Sequence, residues 1–187
     1  MASTLHRLLR AIPLVALTVL FWGCEDGGVV QPQTELRPGP GTLLSTSGQI
    51  YTVVKESFSS SASATITLGP TGSARVRVGD HEIFVPAGAV DRTTTFRLVK
   101  TSGTEIRFSL TATGSDGTNV GAAGFRKPIE LSVFYGNSVN VSDPSRLSVG
   151  WVVNGVIQEM RFPVVDTAAR KATAYLDHFS EYALVHP

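Results

Sequence analysis

Glu105-Ile106-Arg107-Phe108-Ser109-Leu110 decides the fold. Successive side chains of a strand point to opposite faces, so Ile106, Phe108 and Leu110 share one face and Glu105, Arg107 and Ser109 the other. That is the pattern of a strand with one side against a core and one against water. The same period of two recurs on either side of it. Ile66 and Leu68 alternate with Thr65 and Thr67, and Val76 and Val78 with Arg75 and Arg77. Downstream, Ile129, Leu131 and Val133 alternate with Glu130 and Ser132, followed by Leu147, Val149, Trp151 and Val153. Turn signals separate these runs: Gly69-Pro70, Gly79-Asp80, Asp116-Gly117, Asp143-Pro144 and Asn154-Gly155. Asn-Gly tolerates the positive φ of a type I′ hairpin turn. No helical period of any length interrupts the series. Residues 49–187 therefore read as one all-β domain, an antiparallel β-sandwich, since each strand has a single apolar face to cover.

Near its end the chain reads Leu176-Asp177-His178-Phe179-Ser180-Glu181-Tyr182-Ala183. As a continuous strand this would place His178 and Ser180 side by side with Leu176, Tyr182 and Leu184, on the core face. Polar groups on a core face need hydrogen-bond partners or a chemical purpose. The whole run from Lys171 to Val185 is much longer than a usual strand of about five or six residues, so a bulge or bend is expected within it.

Three stretches together resemble the ZU-five domain of zonula occludens, netrin-receptor and ankyrin proteins and its bacterial envelope relatives. They are Val85-Pro86-Ala87-Gly88-Ala89-Val90 with Thr95-Phe96-Arg97-Leu98, then Phe125-Arg126-Lys127-Pro128-Ile129-Glu130-Leu131-Ser132-Val133, then His178-Phe179-Ser180. The resemblance covers roughly residues 74–185. It implies a ZU-five-like sandwich and a role in interaction or scaffolding. Some members of that family split their own chain within such a His-Phe-Ser motif. Carried over by position, Ser180 would attack the Phe179 carbonyl while His178 takes the hydroxyl proton. The Phe179–Ser180 amide bond would break to leave an ester and the Ser180 amine, and water would then hydrolyse the ester. The alternative is that both side chains are satisfied by hydrogen bonds and fasten the last strand.

The N-terminus carries a different message. His6-Arg7-Leu8-Leu9-Arg10 is a short basic start, and Ala11 to Trp22 is an apolar run interrupted by Pro13. Such a run is too short for a bilayer span of about 20 residues and suits the apolar region of a signal peptide. It ends Leu20-Phe21-Trp22-Gly23-Cys24, then turns polar at Glu25-Asp26. A small residue directly before a cysteine resembles a bacterial lipoprotein signal, in which the cysteine is lipidated and becomes the mature N-terminus. Residues 1–23 are thus expected to be the signal peptide and Cys24 the lipid attachment point. Residues 24–48, with Gly27-Gly28 and Pro38-Gly39-Pro40-Gly41, read as a flexible linker spanning roughly 27 Å.

Composition narrows the function. Removing Arg7 and Arg10 from the 16 basic residues leaves 14 against 15 acidic ones, so the mature chain is near neutral. That is no basis for binding nucleic acid, which calls for a basic stripe. Cys24 is the single cysteine, which rules out a disulfide within the chain and a thiolate cluster for metal. His6, His81, His178 and His186 show no metal-ligand spacing and read as scattered, mostly exposed side chains. Gly114 to Gly124 lacks the Gly-Lys-Ser/Thr ending of a phosphate loop and reads as a mobile hairpin loop. Asp116, Asp143 and Asp166 fall at turns, where an Asp side chain caps the backbone. Asn140-Val141-Ser142 matches a glycosylation sequon, a signal that means little if the source is bacterial. Trp151 falls on the apolar side of its strand and is expected in the core. The expectation is a membrane-anchored envelope lipoprotein with no cofactor, no metal and no nucleic-acid partner. Its domain would be a non-enzymatic binding or structural module for an envelope protein or a glycan. Self-cleavage between Phe179 and Ser180, or an accessory role on polysaccharide or peptidoglycan, are the alternatives.

Overall fold

In the computed structural model, which describes residues 40–187, nearly all of the alternating runs are strands. In chain order they are β1 (Thr42–Ser45), β2 (Ile50–Val53), β3 (Ala62–Leu68), β4 (Ala74–Val78), β5 (His81–Val85), β6 (Thr94–Lys100) and β7 (Arg107–Gly114). A short helix, α1 (Val120–Ala123), precedes β8 (Ile129–Phe134), β9 (Ser148–Val153), β10 (Val156–Arg161), β11 (Val164–Asp166), β12 (Lys171–Leu176) and β13 (Glu181–His186). The signal-peptide reading, Cys24 and the linker up to residue 39 lie outside the described residues.

The strands form two sheets, ordered β2-β1-β10-β9-β13-β7-β6-β3 and β11-β12-β8-β5-β4. One core takes residues from both: Val76, Ile83, Leu131 and Ala174 from the smaller sheet, and Phe96, Phe108, Val149 and Leu184 from the larger. The fold is all-β, as the alternation implies. The anticipated apolar sides of β4, β7 and β8 are all buried, with Phe108, Ile129 and Leu131 fully closed off from solvent. The Asn154-Gly155 turn has φ values of 51° and 78°, the positive pair of a type I′ turn, and joins β9 to β10.

Two features depart from a purely antiparallel pair of sheets. Strand β1 runs parallel to β10. An added pairing of β2 with β13 closes β2, β1, β10, β9 and β13 into a five-stranded barrel. The barrel holds its own small core of Leu43, Val53, Val152, Ile157, Ala183 and Val185. Closure removes the exposed edge that β2 would otherwise present. It also corrects the linker boundary, because β1 falls inside the stretch 24–48 read as linker. Leu43 alone of that four-residue strand contributes to the barrel core, too little for a period to register.

The Gly114–Gly124 stretch, read as a hairpin loop, contains α1. Asn119 caps it by accepting a hydrogen bond from the Ala122 N–H at 3.1 Å. The three turn aspartates behave as expected, accepting from the N–H groups of Thr118, Ser145 and Ala169.

Candidate binding groove

The register of one hairpin builds the most notable cavity. Ile157 stands opposite Val152, and the next pair along is Glu159 with Trp151, so Gln158 is one residue too many on β10. Such a bulge re-aims the side chains beyond it. Ile157 and Met160 point into the barrel. Glu159 and Arg161, which an unbroken strand would align with Ile157, instead lie on the side of Trp151. There they line a groove of about 710 Å³.

Its facing wall comes from α1, Phe125 and the turn 177–180. The chain does not run straight from β12 into β13: it bends between Leu176 and Glu181, as the length of the run implies. The bend changes the expected facing. Phe179, not the His178/Ser180 pair, enters the core, where it packs edge-on against Phe125 (4.7 Å between ring centres) and Phe96 (6.1 Å). Its N–H donates to the Gly121 carbonyl at 3.0 Å, and the Phe125 N–H donates to the Asp177 carbonyl at 2.7 Å. A Cβ on Gly121 would come within 2.9 Å of the Phe179 Cβ, so the close approach of helix and turn requires glycine.

The three stretches of the ZU-five resemblance converge at this end. The Arg126 N–H donates to the Ala89 carbonyl at 2.9 Å, and Lys127 Nζ donates to the Ala87 carbonyl at 2.7 Å. Gly88, at φ 81°, completes the turn after β5, and Lys127-Pro128 directly precedes β8.

Around His178 the polar contacts form a chain. Arg161 Nη2 donates to Asp177 Oδ1 at 2.7 Å and to Glu159 Oε2 at 3.0 Å. His178 Nδ1 lies 2.8 Å from the same Asp177 oxygen, and the Tyr182 hydroxyl is 3.3 Å from His178 Nε2 and donates to the His178 carbonyl at 2.9 Å. Partial burial works to raise the Asp177 pKa, but the bonds from His178 and Arg161 outweigh it and hold the carboxyl below its ordinary value. Burial pushes the Tyr182 hydroxyl well above its ordinary value, so it stays protonated. With Asp177 ionised, Nδ1 faces an acceptor and carries a proton. The Tyr182 hydroxyl, its one proton given to the carbonyl, sits against Nε2. No hydrogen bond joins His178 to Ser180 Oγ among the described residues, and neither Phe179 nor Ser180 has a positive φ. Both flanks of the Phe179–Ser180 bond are tied, the second by the Leu110 N–H donating to the Ser180 carbonyl at 2.9 Å.

Trp151 corrects the expectation of a core residue. It packs against the core but also forms part of the groove wall, edge-on to His178 at 4.4 Å between ring centres. Its indole Nε1 and the Nε of Arg161 have no hydrogen-bond partner. Val153, expected on the same apolar side, is exposed next to the hairpin turn.

The chain matches no family model, no curated protein and no solved structure. Among the described residues no group of His, Cys, Asp and Glu is gathered to hold a metal, and no helix is long and apolar enough to cross a membrane.

A second polar cluster escaped the sequence reading altogether. His81, expected to be exposed, is buried, with Nε2 3.2 Å from Glu56 Oε1. Lys100 Nζ lies 3.0 Å from the other oxygen of Glu56. The Phe134 N–H donates to His81 Nδ1 at 3.2 Å, which leaves the ring proton on Nε2, facing Glu56. Burial lowers the His81 pKa against the opposing pull of Glu56. These residues come from the β2–β3 connection, β5 and β6, and no local pattern links them.

Proposed function

We propose that this chain is a lipid-anchored cell-envelope module, held at the membrane through Cys24, whose ZU-five-like β-sandwich binds a partner and catalyses no reaction. The groove between Trp151 and the 177–180 turn carries the reading. It is large enough for a ligand, since small-molecule sites run about 300–1,000 Å³, and it sets an aromatic wall beside the part-exposed carboxylates of Glu159 and Asp177. The basic start and apolar run ahead of Gly23-Cys24 support the anchor. Cys24→Ala is expected to shift the protein from the detergent phase to the soluble fraction. For the groove, the test is capture of partners from solubilised envelope by the wild type and by Ala122→Trp. Ala122 is exposed on the groove wall, so a bulky side chain there fills the groove without entering the core. Partners lost with that substitution support the reading, and an unchanged set removes it.

The Asp177–His178 pair favours a second reading, in which the domain cuts its own chain at Phe179–Ser180. An imidazole oriented by a carboxylate is two parts of a base-activated nucleophile. The third part, a bond from His178 to Ser180 Oγ, is where Tyr182 intervenes. Intact mass under denaturing conditions separates the two readings. A single full-length mass is expected; a split that disappears in Ser180→Ala would establish cleavage.

A further inference from the structure

We propose that the groove takes an uncharged saccharide. This rests on the binding reading above and names the ligand's chemistry.

The electrostatics of the wall come first. Two guanidiniums, Arg126 and Arg161, and two carboxylates, Glu159 and Asp177, line the groove. Arg161 is already bonded to both carboxylates, and Arg126 is paired outside the groove with Asp91 at 3.2 Å. An anion entering here meets Glu159 and Asp177, and a cation meets the arginines. Neither gains a free counter-charge. A hydroxyl group can use the remaining capacity of both without breaking a pair, because it donates and accepts at once. The carboxylates retain lone pairs toward solvent, Glu159 being 45% and Asp177 59% exposed.

The aromatic wall is the second observation. Trp151 gives the groove an apolar aromatic surface, which suits the C–H face of a sugar ring whose hydroxyl edges then reach Glu159 and Asp177. The third concerns what the groove lacks. The large exposed apolar side chains, Phe58, Val139, Phe162, Val164 and Tyr175 among them, all lie elsewhere. The groove instead sets four charged side chains around Trp151, whereas the cores of protein interfaces are depleted of charge, which favours a polyol over a polypeptide.

The full-length protein in detergent is titrated with chitotriose, cellotriose and maltotriose, and with trigalacturonic acid as the charged control, reading tryptophan fluorescence and heat. At least one neutral trisaccharide is expected to bind, with an affinity unchanged between low and high salt. Ala122→Trp should weaken it about tenfold or more, and Glu159→Gln and Asp177→Asn each by several-fold, the scale of a lost hydrogen bond. Binding that survives Ala122→Trp, or a preference for the acidic sugar, overturns the proposal. If no sugar binds while an envelope protein is captured and then lost with Ala122→Trp, the saccharide inference falls and the binding reading stands. If neither is seen, both fall.

Discussion

Lys100 Nζ lies 3.0 Å from Glu56 Oε2, with the two side chains 3% and 5% exposed. Lysine and glutamate are almost never so deeply buried unless paired. The pair is completed by Ser60, whose hydroxyl donates to Glu56 at 3.3 Å and whose carbonyl lies 3.4 Å from Lys100 Nζ. It fastens the β2–β3 connection to the end of β6.

Breaking that pair from one side strands a buried charge. Lys100→Met is expected to cost ~3–5 kcal/mol, whereas Lys100→Met with Glu56→Met should recover only part of the loss, because the apolar pair needs no compensation but the buried His81 Nε2–H loses its acceptor. Urea unfolding of the single and double variants measures this. Additive losses would show that the two charges are not coupled.

The same cluster sets a pH dependence. The His81 pKa is lowered in the folded state, first by burial, so the unfolded chain takes up a proton before the folded one does. Stability from this source is complete above the ordinary value of 6.5 and is lost as pH falls below it toward the folded value. Glu56, Lys100 and Asp80 are the charged groups acting on the ring. Thermal unfolding of His81→Gln should fall less steeply with acid in that window than the wild type. An identical slope would place the titration elsewhere.

The helix-to-turn contact offers a sharper test. Gly121→Ala puts a methyl group 2.9 Å from the Phe179 Cβ and is expected to destabilise by ~1–3 kcal/mol. Phe179→Ala, which empties a buried site between Phe96 and Phe125, should cost ~3–5 kcal/mol. A near-zero cost for Phe179→Ala would mean that its ring is not part of the core. The same scale applies to Phe108→Ala.

The bulge can be removed. Deleting Gln158 makes Glu159 the direct neighbour of Ile157, so a regular alternation keeps Ile157 and Met160 toward the barrel and Glu159 and Arg161 toward the groove. The deletion should therefore leave the barrel folded and the polar wall in place, losing only the added twist of the bulge. Gln158→Ala, at an exposed position, should stay within ~0.5 kcal/mol of wild type. Stability and ligand capture read on both variants distinguish the bulge from the side chain.

Legibility followed burial on one face. Val76, Phe108 and Leu131 could be read because each strand has one covered side, and a single slip of register would expose it. The end of the chain was read in part: its length announced the bend, but the facing of Phe179 depends on where the bend falls. Strand β10 could not be read by period, since the bulge breaks it midway. Trp151 obeyed the alternation, yet the groove beside it is made by residues some eight to thirty positions away. The Glu56–His81–Lys100 cluster was invisible for the same reason at longer range, as three separate segments meet only in the folded state.

Strand β13 lies between β7 and β9 and also meets β2, yet it follows all three in the chain. Synthesis therefore delivers two half-finished surfaces before the piece that joins them. Until residues 181–186 emerge, β7 and β9 present unpaired N–H and C=O groups, and the ring of five strands stays open. The pairings of the other strands do not need β13, but joining the two halves of the larger sheet does. Without β13 those two edges stay open to pairing with another chain.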